Sequence, residues 1–272
     1  SATRGASAVS ALTAKHPGAG IRAFAADVAT PAAANGLFGD GPIELQAGGL
    51  VFATPKYEGS KEYEAMAVPF VAPAGLGEGG LVQFRGPDDL RLRLLKFGGF
   101  EGGPLAGWRF DREESDSRRL TGLGDVDGGL VVGGFAAYRF QSVTPFVTYN
   151  HQVTGDETGG LLRFGAEVPV ALMRGIKLTG TVGATWADDD YMDAYFSVRT
   201  PTARLAAYDA EAGLKDVHLG LSPDIPVADR WTLKVMGRYA RLLGDAADSP
   251  IVESEDQFMG GLGLTYRFSI DR

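Results

Sequence analysis

The sequence predicts an all-β fold, a closed antiparallel transmembrane β-barrel of about 12 strands. Three observations carry this prediction. Apolar residues recur with period two across residues 43–268. The alternating stretches run to about ten residues, the length a tilted strand needs to cross a bilayer. The connections between them sort by parity into short and long, the asymmetry of periplasmic turns and extracellular loops.

Twelve segments emerge, at 43–54, 65–72, 80–86, 90–97, 104–111, 127–140, 143–153, 160–171, 176–190, 213–226, 230–243 and 256–268. The number is even, as in single-chain bacterial outer-membrane barrels. The alternation is cleanest in four of them. In 231–239, Trp231, Leu233, Val235 and Tyr239 share one face, with Thr232, Lys234, Met236 and Arg238 on the other. The stretches 162–172, 176–186 and 258–268 divide in the same way, with Val168, Val182 and Leu264 on the apolar side. Tight turns are expected at 140–143, 172–175 and 227–229, and longer, polar, acidic loops at 112–126, 154–159, 191–212 and 244–255. The first half is less regular, because 87–89 is short where a long loop is due.

Alternation alone leaves the outward face undecided, since a soluble lipocalin-like barrel has the same period with its apolar face inside. Residue types supply the sign. The polar stripes hold Arg, Lys, Thr and Gly, which suit a wet lumen. Aromatic residues gather at strand ends, with Tyr138, Phe140, Trp231, Tyr266 and Phe268 beside the short turns and Tyr149 and Trp186 beside the long loops. That is the placement of two interfacial girdles.

Composition removes several function classes. The 26 Lys and Arg against 34 Asp and Glu give a formal charge of −8, which disfavours nucleic acid as a partner. The absence of cysteine excludes disulfides, thiolate-bound metals and thiol nucleophiles. The longest apolar run, at 128–138, falls far short of the roughly 20 residues of a spanning helix. Residues 1–42 form an Ala-rich extension expected to be largely irregular, and 269–272 a C-terminal tail. The start, Ser1-Ala-Thr-Arg, has no secretory leader, so an exported chain implies one already removed.

With the Trp231 face outward, Arg85, Arg91, Arg93, Arg109, Arg139, Arg163, Lys177, Lys234, Arg238 and Arg267 point to the lumen, opposed by Glu44, Glu167 and Asp216. Two readings follow: an anion-favouring pathway, or Arg–Glu pairs that fill and rigidify a barrel of modest bore. Asp188, Asp189 and Asp190 are weak candidates for a divalent cation and lack the spacing and glycine of an EF-hand loop. Solvated loop acids, or a bridge to the cation layer of lipopolysaccharide, are the readings set against that. No metal or cofactor is expected. His218 and Ser222 share a strand face but lie about 13 Å apart at ~3.3 Å per residue, too far for a nucleophile–base hydrogen bond. An Asp216–His218 pair remains, and no enzymatic activity is expected.

Five motifs carry a resemblance to a known family. They are Pro55-Lys-Tyr-Glu-Gly-Ser60 with Tyr63, Arg119-Leu-Thr-Gly-Leu-Gly-Asp-Val-Asp127, Thr185-Trp-Ala-Asp-Asp-Asp-Tyr-Met-Asp-Ala-Tyr-Phe196, Ala207-Tyr-Asp-Ala-Glu-Ala-Gly213 and Arg241-Leu-Leu-Gly-Asp-Ala-Ala-Asp-Ser-Pro-Ile-Val252. In this order, over roughly 45–268, the chain resembles the MltA-interacting protein (MipA/OmpV) family of Gram-negative outer membranes. The resemblance implies a barrel in contact with lipid bilayer and lipopolysaccharide. For the best-known member it also implies a scaffold joining a murein transglycosylase to a peptidoglycan synthase; the basic lumen leaves an anion-favouring small-solute pore as the alternative. Two features depart from the pattern. The terminal aromatic, Phe268, is followed by Ser269-Ile-Asp-Arg272, and residues 1–42 have no counterpart.

Overall fold

The computed structural model describes residues 43–73, 81–156, 158–171 and 176–270. The chain divides into two units, Ser1–Ile43 with Ser269–Arg272, and Glu44–Phe268. The second is the β-barrel; the expected extension at 1–42 lies outside the described residues.

Thirteen strands make one antiparallel sheet: β1 (Ile43–Pro55), β2 (Tyr63–Pro73), β3 (Val82–Gly86), β4 (Asp89–Leu92), β5 (Leu95–Phe97), β6 (Phe100–Arg109), β7 (Gly129–Tyr138), β8 (Thr144–Gln152), β9 (Gly160–Ala171), β10 (Lys177–Ala187), β11 (Gly213–Ala228), β12 (Trp231–Leu242) and β13 (Asp256–Ile270). Their order is β2-β1-β13-β12-β11-β10-β9-β8-β7-β6-β4-β3, with β5 also on β6. Strands β4 and β5 pair successive parts of β6, at Leu90↔Ala106 and Arg91↔Leu105, then at Leu95↔Gly102 to Phe97↔Phe100. They are two halves of one interrupted strand, so the sheet has the twelve strand positions that the periodicity predicts. The end strands of this order, β2 and β3, are consecutive in the chain, as the closing strands of a meander are.

Side chains identify the inner face. Arg85 on β3 meets Glu167 on β9 at 3.0 Å, and Arg91 on β4 donates to Thr148 on β8 at 2.9 Å. Only a concave face brings together strands so far apart in the order. The opposite face leaves large apolar residues exposed on successive strands, among them Val132, Val147, Phe164, Val182, Leu219 and Leu264. In water this continuous apolar band is a liability, whereas in a bilayer it is the surface a barrel presents.

Small residues let the wall close tightly. A Cβ on inward-facing Gly133 or Gly165 would overlap the Tyr149 or Val182 carbonyl oxygen on the adjacent strand.

Two strand boundaries differ from the alternation pattern by three residues or more, each for a local reason. Strand β6 starts at Phe100 rather than 104, because Gly102 and Gly103 have no side chains with which to alternate. Strand β10 stops at Ala187 because Asp188 caps a helix, its side chain accepting from the Tyr191 amide. The short 87–89 connection is also explained: Pro87 carbonyl accepts from Trp108 N–H at 2.8 Å, and Asp88 is held by Asn150 and Arg163. Side chains from the wall hold this turn where other loops rise.

Because antiparallel ladders join all the described strands into one sheet, material extracted from outer membranes is expected to run faster on SDS gels before boiling than after. Equal mobility in both lanes contradicts closure of the wall. An arginine at Val182 or Leu264, placed on the lipid side, is expected to cost ~2–4 kcal/mol and to block assembly, whereas a lysine at inward Thr181 is tolerated. Membrane-insertion yields of the variants distinguish the two faces, and the reverse order of tolerance means that the apolar face is not in lipid.

Candidate functional site: the covered mouth and its polar floor

The long loops fold into a layer of their own. Helix α1 (Asp189–Phe196) begins where the Asp188 carboxylate accepts from Tyr191 N–H at 3.0 Å and from Gly160 N–H at 2.7 Å. This is an N-cap that satisfies otherwise orphaned amides. The helix buries Tyr191, Met192, Tyr195 and Phe196 against Leu161, Ala187 and Leu242, inward residues at the loop-side ends of β9, β10 and β12. Ala246 of a short helix, α2 (Gly244–Asp248), completes this cluster.

A second cluster joins Tyr57, Leu120, Val198, Leu205 and Ile251 from four different connections. Hydrogen bonds lock the loops together. Arg119 donates to the carbonyls of Pro250 and Ile251 at 3.0 and 3.1 Å, Ser249 hydroxyl to the Phe196 carbonyl at 2.6 Å, and Tyr57 hydroxyl to Glu253 at 3.1 Å. Burial, reinforced by the nearby Glu253 charge, pushes the Tyr57 phenol well up, so it stays a neutral donor. The same holds for Tyr191, where burial and the Glu58 carboxylate act together.

Under this cover lies a charged floor. Lys215 is 4% exposed and pairs with Glu58 and with Asp216 at 3.1 Å, its ammonium 5.5 Å from the Tyr191 ring centre. Arg109 lies 4.9 Å over the same ring and donates to the carbonyls of Thr158 and Gly159 and to Asn150. Asp216, 3% exposed, also receives His218 Nδ1 at 3.0 Å, Thr185 hydroxyl at 3.2 Å and Arg238 at 3.4 Å.

Five more of the basic residues expected in the lumen also find acidic partners. Arg91 grips Asp89 with two bonds of 2.7 Å, Arg163 meets Asp88, Arg93 and Arg139 share Glu101, and Lys234 meets Asp224 at 2.9 Å. The Arg267 amide donates to the Arg230 carbonyl at the short-turn end, and its side chain is exposed. The side chains of Glu44 and Lys177 lie outside the described residues. At the strand ends, Tyr138, Phe140, Tyr149, Trp186 and Trp231 are exposed, and Trp231, Tyr266 and Phe268 form a contiguous aromatic group with centroid spacings of 4.9 and 6.4 Å.

Two of the aspartates at 188–190 bond backbone amides. Asp188 caps α1 and Asp189 accepts from Ala212 N–H at 2.7 Å. Among the described residues no group of three acids or histidines is placed to hold a metal.

Period-two reading misses Lys215. A bulge opposite Thr185 and Trp186 sets Thr185 against Asp216 and Trp186 against Leu214, so Lys215 is an extra residue turned inward with Asp216. The signal is present in Leu214-Lys-Asp-Val217, where strict alternation would place a lysine ammonium in lipid. Glu58 and Asp88, whose partners lie on distant strands, are missed too, as are Asp89, Glu101 and Asp224, whose partners lie on the same or a neighbouring strand.

An antiparallel barrel with an outward apolar band, girdling aromatics and a polar inner face defines a transmembrane β-barrel of the outer-membrane class. The chain belongs to the family of the MltA-interacting protein MipA, whose model matches residues 47–268. It is 35% identical over 95 residues to the outer membrane protein Omp26La of Vibrio anguillarum, covering 34% of this chain and 37% of that protein. It is 36% identical over 88 residues to the outer membrane protein OmpV of Vibrio cholerae serotype O1, covering 32% and 34% respectively. The matched region thus spans about a third of the length of each of these relatives. Among solved structures, an outer-membrane channel from Pseudomonas putida F1 is similar over 84% of this chain and 96% of that one, at 12% identity and a TM-score of 0.41. The protein resides in the Gram-negative outer membrane.

Proposed function

We propose that the protein is a non-enzymatic outer-membrane scaffold that links the membrane to murein-remodelling enzymes. The observation that carries this reading is the covered mouth. Two apolar clusters and a network of loop hydrogen bonds lie over the loop-side end, above ion pairs that occupy the inner charges. A barrel so arranged favours a fixed platform over a conduit. The family description names an interaction with MltA, which makes a murein transglycosylase the first partner to seek, with a peptidoglycan synthase beside it. Docking is assigned to the short-turn side, which faces the periplasm in this orientation.

Chemical crosslinking of intact envelopes followed by purification of the barrel tests this reading. Recovery of a transglycosylase and a synthase is the expected outcome; a crosslinked sample free of cell-wall enzymes overturns it. The alternative, an anion-favouring small-solute pore, draws on Arg139 and Arg238, whose side chains stay 58% and 40% exposed despite their acidic partners. Such partly solvated guanidinium groups would concentrate anions if the interior conducts.

A further inference from the structure

The loop layer holds a second feature, separate from the floor of the mouth. A cavity of about 490 Å³ opens beside the 56–62 loop, the 115–119 turn and Arg204. That volume lies within the range of small-molecule sites. Five cationic side chains, Lys56, Lys61, Arg118, Arg119 and Arg204, meet three carboxylates, Glu62, Asp116 and Glu253. The surplus is two positive charges, on a chain whose net charge is −8.

The carboxylates are already engaged. Glu62 holds Lys56 at 2.8 Å, Glu253 holds Lys61 at 3.1 Å, and Asp116 accepts from Glu113 N–H at 2.8 Å. Arg119 is tied to the carbonyls of the 243–255 loop. Arg204 spends one nitrogen on the Arg118 carbonyl, at 2.6 Å. The Arg118 guanidinium has no hydrogen bond or ion pair among the described residues. Two guanidinium forks therefore face the cavity with donors to spare, beside the hydroxyls of Ser115 and Ser117.

We propose that this cavity binds a phosphorylated sugar. The surplus of two charges matches a phosphate monoester dianion, planar guanidinium forks bind phosphate through paired hydrogen bonds, and the serine hydroxyls and engaged carboxylates suit sugar hydroxyls. The phosphate belongs either to lipopolysaccharide in the surrounding leaflet or to a free sugar phosphate.

The test uses the full chain purified in detergent, with glucose 6-phosphate and glucose as calorimetric probes. Saturable binding of glucose 6-phosphate and none of glucose is expected. Replacing Arg118 and Arg204 together by Gln weakens that binding by about tenfold or more, the loss expected for charge-assisted bonds to phosphate. Arg241→Gln, at an exposed cation paired elsewhere with Glu255 and Asp256, leaves it unchanged. Absence of saturable binding, equal binding of glucose, or full affinity in the double variant overturns the proposal. Should the double variant not assemble, the wild type still decides the matter: binding must weaken as salt is raised, and salt-independent binding overturns the proposal. Reconstitution with intact or dephosphorylated lipopolysaccharide then separates the sources. Competition by the intact form alone assigns the site to the leaflet, and undiminished binding in both assigns it to a free ligand.

Discussion

Replacing Asp216 by Ala is expected to lower the stability of the folded barrel by about 3–5 kcal/mol, the cost of removing one partner from a buried ion pair. Asp216 is 3% exposed and collects Lys215, His218, Arg238 and the Thr185 hydroxyl on one carboxylate. Without it, Lys215 retains Glu58, but the bonds to the buried His218 and Thr185 are lost in a site that water barely reaches, along with that to the partly exposed Arg238. Most of the loss is desolvation left uncompensated. The urea unfolding midpoint of the reconstituted barrel measures this, with Asp224→Ala as the internal comparison. Asp224 pairs with Lys234, but the two side chains are 42% and 31% exposed, so solvent screens the pair and about 1 kcal/mol or less is expected. Equal shifts for the two variants contradict the distinction between a dry floor and a wet wall.

Truncating Phe196 to Ala is expected to loosen the cover without opening the wall. Phe196 is fully buried, and large-to-small changes at such sites cost ~3–5 kcal/mol. Its contacts are to α1, α2 and the loop-side ends of the strands, none of them ladder pairs. The loops should therefore become sensitive to protease while heat-modifiable migration persists. Met192→Ala, beside it in the same cluster, should act in the same direction. A protease-resistant cover in both variants means that its stability comes from somewhere other than this cluster.

The strand positions and the division of faces were legible because one physical demand, apolar side chains toward lipid, repeats at every second residue. Breaks in that demand were missed. The interruption between β4 and β5 at Arg93 and Leu94, and the bulge at Lys215, each shift the phase without a glycine or proline to announce it. The cover was hidden for a different reason. Tyr57, Leu120, Leu205 and Ile251 lie in loops without apolar periodicity, and only the topology of the sheet brings them into one cluster. Counting charges on the inner face named Glu167 and Asp216, which pair with Arg85 and Arg238 respectively. It missed Asp88 and Asp89 because a short turn carries the first and an interrupted strand the second.

Steady conductance of the wild-type protein in planar bilayers tests the central claim most directly, namely that the loop layer closes the mouth and the inner charges are mutually satisfied. Small or no steady current is the predicted result, with current appearing in the Phe196→Ala variant as the cover loosens. A large, anion-selective current through the wild-type barrel would contradict the account and favour the pore reading.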